Sequence, residues 1–168
     1  MKTKDLRAVQ EPLKQQYRRD PESAVVTLAA EGELGMDVSC SVQTGQAMVR
    51  AGLHPATGGD GLSLCSGDML LQALVACAGV TLGAVATSLG IEVSGSVRAE
   101  GDLDFRGTLA VDREAPVGFR AIRLAFQLRT EADDDKVATL LRLTERYCVV
   151  YQTLASAPEL SVSRTVPV

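Results

Sequence analysis

Cys77, inside the uncharged stretch 69–91, and Cys148, in Glu145-Arg-Tyr-Cys-Val-Val, are the residues of this chain best equipped for chemistry. A thiolate is a nucleophile and a two-electron reductant, and its sulfenic acid condenses with a second thiol to a disulfide. Each of the two cysteines sits in an apolar setting where a helix is expected to bury it. A buried free cysteine also packs as a small hydrophobe. Both readings, packing and redox pair, are open at this point.

Two further cysteines, Cys40 and Cys65, complete the set, and no Cys-x-x-Cys spacing occurs. Cys40 falls in a strand-like segment and reads as packing. Cys65 precedes the predicted central helix and is a candidate third redox thiol. His54 is the only imidazole of the chain. It could serve as a base, or help to activate a thiol. With one histidine and no ligand cluster, neither a structural zinc site nor any other metal or cofactor is expected. Gly58-Gly59-Asp60-Gly61 lacks the Lys-Ser/Thr that a phosphate-binding loop needs. Arg106, in Asp104-Phe-Arg-Gly, reads as part of a turn between strands.

The elements that must position the thiols follow from patterning. The 168 residues suffice for one domain with a sizeable core, and the expected organisation is a single domain over 1–168 with a helical extension at 1–21. Hydrophobic residues make up 46% but aromatics only 4%, so Ala, Val and Leu must build the core. A net charge of −4 with scattered basic residues argues against nucleic acid as a partner. The charged N-terminus, Met-Lys-Thr-Lys-Asp-Leu-Arg, has no apolar run of the kind a signal peptide needs, so a cytoplasmic location is expected.

The stretch 69–91 meets the length criterion for a membrane span, yet Gln72, Thr81, Thr87 and Ser88 dilute it and no basic cluster flanks it. The better reading is a helix that is apolar all round and buried on every side, with no membrane partner. One small chain can hardly enclose such a helix, so an intertwined homodimer is the natural solution.

Leu6, Val9, Leu13 and Tyr17 recur at helical spacing up to Asp20-Pro21. Segments 24–30, 36–42 and 46–53 read as short strands separated by turns at Glu31-Gly32 and Thr44-Gly45. The central helix follows, with Ser66 or Asp68 as its cap and Gly90 closing it. Segments 92–103 and 121–130 alternate as strands. Asp133-Asp134-Asp135 then opens a helix with the inner stripe Val137, Leu140, Leu141 and Thr144, which leads to Cys148. A short helical run from Val149 and a strand near 160–166 end the chain. The predicted class is α+β, with antiparallel strands packed around the long central helix.

The segment Asp68-Met-Leu-Leu-Gln-Ala-Leu-Val-Ala-Cys77-Ala-Gly-Val-Thr-Leu82 resembles the central-helix motif of the osmotically inducible protein C (OsmC) and organic hydroperoxide resistance family. Glu145-Arg-Tyr-Cys148-Val-Val resembles that family's second cysteine motif, and the order of elements is similar from about residue 22 onward. The resemblance implies an intertwined homodimer acting as a thiol-dependent peroxidase on organic hydroperoxides. Cys77 would be the peroxidatic thiol, Cys148 the resolving one, and a dihydrolipoyl or similar dithiol the reductant.

The family pairs a Glu, ten residues before the first cysteine, with an Arg of the preceding strand. Here Gly67 occupies the Glu position and Asp68 is the nearest acid, while Arg50 is the candidate activating cation. Val149 stands where the family commonly carries Pro. The other reading is a non-catalytic protein that binds a small molecule on the same dimeric scaffold.

Overall fold

The computed structural model of the protein describes residues 3–34, 40–42, 51–62 and 64–164. Its first element is the helix α1 (Thr3–Arg19), which ends in the basic pair Arg18-Arg19 where the helix dipole favours positive charge. Tyr17, only 2% exposed, enters the core, and its hydroxyl donates to the Ala56 carbonyl at 2.6 Å. Gln10 Nε2 donates to the Thr57 carbonyl at 3.2 Å, so α1 is tied at two points to the short turn Pro55–Thr57.

After a single turn at Pro21–Ala24 the chain enters β1 (Val25–Leu34), followed by the short β2 (Cys40–Val42). The turn predicted at Glu31-Gly32 is instead strand. β1 continues because β3 (Ser94–Asp104) pairs with it antiparallel from Val25↔Asp104 to Glu33↔Ser96, and that ladder overrides the local glycine signal. Of the third expected strand, 46–50 lies outside the described residues. At its end Ala51 makes only an isolated parallel bridge to Leu64. The four strands form one antiparallel sheet in the order β2-β1-β3-β4, with β4 spanning Phe119–Arg129.

The central helix, α2 (Ser66–Leu89), lies against this sheet. The residue at its N-cap is Cys65, not Ser66 or Asp68. Its backbone is extended there and its carbonyl accepts from the Met69 N–H, without a side-chain cap. Gly90 ends the helix as expected, in the left-handed region at φ 65, where its N–H reaches back to the last turn. By length and composition α2 is apolar enough to cross a membrane. Within the fold, Leu71, Leu74, Val75, Ala78 and Leu82 are fully buried against Val97, Ala99 and Leu103 of β3 and against the helices that follow. β3 alternates as a half-buried strand must, turning Arg98, Glu100 and Asp102 outward.

The turn expected around Arg106 is the single helical turn α3 (Phe105–Thr108). Its anchor is Asp104, whose buried carboxylate accepts from Arg106 Nε and Nη2 (2.6–3.2 Å) and from the Arg106 N–H. β4 then leads into α4 (Asp134–Tyr147), capped by the Asp133 carboxylate accepting from the Lys136 N–H at 2.9 Å. α5 (Val149–Ala155) follows at once. The strand expected near 160–166 does not form over 160–164, where Leu160 and Val162 are exposed with no sheet neighbour to cover them. Residues 165 and 166 lie outside the described set. The expected α+β class, an antiparallel sheet against a long central helix, is the one adopted.

Candidate functional site

α2 presents Leu70, Leu74, Cys77 and Thr81 at the i, i+4, i+7, i+11 spacing of one helix face. Cys77 is half-buried on that face, at the edge of the core. The second thiol arrives from the opposite direction. Leu140 and Thr144 bury the inner stripe of α4, and the Cys148 N–H donates to the Thr144 carbonyl as the helix ends.

Cys148 is at once the last capping residue of α4 and the N-cap of α5. Its Sγ accepts from the Tyr151 N–H at 3.5 Å, and its carbonyl accepts from the Gln152 N–H at 2.9 Å. Across this joint, Tyr151 Oη donates to Glu145 Oε1 (3.1 Å) and Gln152 Nε2 donates to the Glu145 carbonyl (2.9 Å), folding α5 back on α4. The thiol inside the joint is 1% exposed.

The two thiols are hydrogen-bonding neighbours, and their environments push them apart. Burial acts to raise the Cys77 pKa. The Val150 N–H, the Cys148 thiol, the Thr81 hydroxyl and the Val149 N–H together outweigh it, so Cys77 ends below the ordinary thiol value. For Cys148 burial dominates, and its position as donor to Cys77 adds to it. The Tyr151 N–H offsets only part, and Cys148 is pushed up to about 11. Cys77 therefore gives up its proton more readily than Cys148 does. No cationic side chain contributes to the lowering at Cys77 among the described residues.

The remaining candidates lie elsewhere. Arg50 is outside the described residues. Asp68 precedes Cys77 by nine residues, about 13 Å along the helix and half a turn round it, so it faces away from the thiols. Burial raises the Asp68 pKa, while His54 and the Cys65 N–H act to lower it. His54 uses Nδ1 to accept the Ala56 N–H at 3.0 Å and stacks on the Phe105 ring with centroids 4.9 Å apart. It caps a turn and packs against α3. Cys65, half-buried at the start of α2, is about 18 Å along the axis from Cys77. Cys40 lies in β2. Thus Cys77 and Cys148 come together, and Cys65, Asp68 and His54 do not join them.

Thr81 and the amides of Val149 and Val150 were not singled out from sequence as site groups. Thr81 could have been found, since it follows Cys77 by one helical turn. The amides carry no side-chain signature. Among the described residues no group of three or more His, Cys, Asp or Glu is placed to hold a metal ion.

A family model described as OsmC-like protein matches residues 58–163. Among solved structures, the fold is similar to an OsmC-like protein from Mycoplasma pneumoniae, with a TM-score of 0.53 and 15% identity over 79% of this chain and 86% of that one. It is also similar to an OsmC-like hydroperoxide resistance protein from Jannaschia sp. CCS1, with a TM-score of 0.55 and 16% identity over 85% of this chain and 95% of that one. No curated protein matches the chain.

Proposed function

The chain belongs to the OsmC-like family, and from that premise we propose that it is a thiol-dependent peroxidase of organic hydroperoxides, serving oxidative stress defence in the cytoplasm. The observation that carries the reading is the divided pair: a lowered Cys77 thiol in hydrogen-bond contact with a raised Cys148 thiol. A peroxidatic cysteine must be ionised to attack, whereas a resolving cysteine can wait as a thiol.

The Cys77 thiolate attacks the distal oxygen of R–O–O–H. The O–O bond breaks, sulfur gives up two electrons, and the alkoxide takes a proton and leaves as R–OH. Cys77 is then a sulfenic acid. Cys148 attacks its sulfur, the S–O bond breaks, and water leaves as the disulfide forms. A dithiol reductant such as a dihydrolipoyl group restores both thiols by exchange. The Val149 and Val150 amides and the Thr81 hydroxyl support the thiolate, and Arg50 is proposed as the cation that activates it. The apolar surroundings of Cys77 favour an alkyl hydroperoxide over hydrogen peroxide.

A homodimer is part of the proposal. Met69, Ala73, Val80 and Ala84 form an exposed apolar stripe along α2, which a second copy of the chain would cover.

Consumption of cumene hydroperoxide with dihydrolipoamide, compared between the wild type and Cys77→Ser, tests the function. Turnover lost in the variant is the expected result. Equal background consumption in both would refute the reading and leave a non-catalytic binding protein on the same scaffold.

A further inference from the structure

Glu145 holds α5 with both its side chain and its main chain, and the peroxidase reading makes no use of it. α4 stops at Tyr147, so the Glu145 carbonyl is one of those that a helix end leaves without a main-chain donor. Gln152 Nε2 fills it at 2.9 Å. One residue earlier in α5, Tyr151 donates its hydroxyl to the Glu145 carboxylate at 3.1 Å. The same Tyr151 gives its N–H to the Cys148 sulfur at 3.5 Å. Glu145 and Cys148 thus grip one short helix across a single bend.

The consequence is a difference in access. Cys148 is 1% exposed and belongs to the core cluster of Leu74, Val75 and Ala78, against which Val150 and Tyr151 also pack. Cys77 is half-buried at the edge of that cluster. In thiol–disulfide exchange the attacking sulfur must touch the sulfur it attacks. While the joint is closed, a thiol from solvent meets a Cys77–Cys148 disulfide at Cys77 alone.

Leaving-group chemistry pulls the other way. The less basic thiolate leaves faster, so attack on Cys148, which is pushed up to about 11, would expel the better leaving group, Cys77. A slope like that of the attacking thiol makes this preference about tenfold over two pKa units. Reaching Cys148, however, requires α5 to lift. That breaks both bonds to Glu145 and the amide contact to the sulfur, and it takes Val150 off the core. Together these losses make the open joint rarer by a factor on the order of a hundred. Enclosure outweighs the leaving group.

We propose that Glu145 is a positioning residue which, through Tyr151 and Gln152, seals the Cys148 sulfur and directs the external reductant to the Cys77 sulfur. The incoming thiolate bonds to the Cys77 sulfur, the S–S bond breaks, and the electron pair and then a proton go to Cys148. The second thiol of a dithiol attacks the reductant-side sulfur of the mixed disulfide. The reductant closes as its own disulfide, and Cys77 leaves as a thiolate. The inference rests on the proposed function for the Cys77–Cys148 bridge, and it fixes the order of recovery: Cys148 first, Cys77 last.

Full-length protein bridged with diamide, an oxidant of thiol pairs that is not a hydroperoxide, supplies the test. A brief pulse of glutathione is followed by an acid quench and by N-ethylmaleimide in denaturant. Peptide mapping then reads which cysteine carries glutathione and which carries maleimide. The wild type should carry glutathione on Cys77 about tenfold over Cys148. Glu145→Ala should cut that ratio about tenfold, the worth of one charge-assisted hydrogen bond. Tyr151→Phe should do the same, whereas Glu145→Gln, whose amide oxygen still accepts from Tyr151, should keep most of the preference. Glutathione chiefly on Cys148 in the wild type would overturn the inference, as would a ratio unchanged in both Glu145→Ala and Tyr151→Phe, and either would leave the peroxidase reading standing. The expected ratios in a protein that diamide bridges and cumene hydroperoxide does not would uphold the inference and sink the peroxidase reading. No bridge even with diamide would overturn both.

Discussion

Oxidation should change the stability of the protein by an amount that its topology sets. Treatment with one equivalent of organic hydroperoxide is expected to join Cys77 to Cys148, closing a loop of about 70 residues. In the chain-entropy account a loop of that length removes about 15 cal/mol/K from the unfolded ensemble, or about 4.4 kcal/mol at 25 °C. For a domain of this size 1 kcal/mol corresponds to roughly 2–4 °C in Tm, which sets a ceiling of roughly 9–18 °C. Strain in the native state subtracts from it. Each thiol acts on the other's acidity, so the two lie close enough that closure is expected to need little movement of α2 or of the α4–α5 joint, and at least half of the ceiling should survive. Differential scanning calorimetry of reduced and oxidised protein at one protomer concentration reads the shift directly. Cys148→Ser treated identically should show none. If the wild type loses both thiols to peroxide without a rise in Tm, or if the rise persists in Cys148→Ser, the bridge across the core is not what forms and the pairing argument fails.

Two more expectations concern the pair. Thr81→Val removes one hydroxyl donor from Cys77 at nearly constant volume. It should slow iodoacetamide alkylation of Cys77 at pH 7 about twofold to tenfold, the worth of one hydrogen bond; an unchanged rate would take Thr81 out of the site. The raised Cys148 thiol should make the protein sensitive to alkali. Its folded value, about 11, exceeds the ordinary 9.0, so the unfolded state loses that proton first and stability falls as pH rises from about 9 through 11. The full effect is roughly 2–3 kcal/mol at two pKa units. Cys77, lowered in the fold, contributes with the opposite sign, its share rising as pH climbs to its unfolded value near 9.0 and staying constant above it. Chemical denaturation at pH 8, 9, 10 and 11 should show the wild type losing stability faster than Cys148→Ser, and parallel curves would count against the raised value.

The central helix was legible because twenty-three uncharged residues ending at Ile91 leave few other options. α4 was legible because three aspartates announce its first turn and Leu140 and Thr144 recur on its inner face. The convergence of Cys77 and Cys148 came from the resemblance of two short motifs, since seventy intervening residues give no local signal of contact. What sequence did not give was tertiary in origin. β1 runs through Glu31-Gly32 because β3 holds it there, and 160–164 stays out of the sheet although its alternation suits a strand. His54 reads as a possible base until Phe105 and the Ala56 amide take up its ring. Part of the support for Cys77 comes from main-chain N–H groups at Val150 and Val149, which any residue other than proline would supply. The absence of proline at 149, a departure from the family pattern, leaves that amide with a hydrogen to donate.

The double duty of Cys148 bears on how its alleles compare. Its sulfur closes the first turn of α5, so replacement by serine substitutes an oxygen cap for a sulfur cap, whereas replacement by alanine also releases the Tyr151 amide. The two substitutions, often treated as interchangeable ways to silence a thiol, would here yield proteins of different architecture. Serine would remove the thiol alone, while alanine would remove the thiol and loosen the joint between two helices.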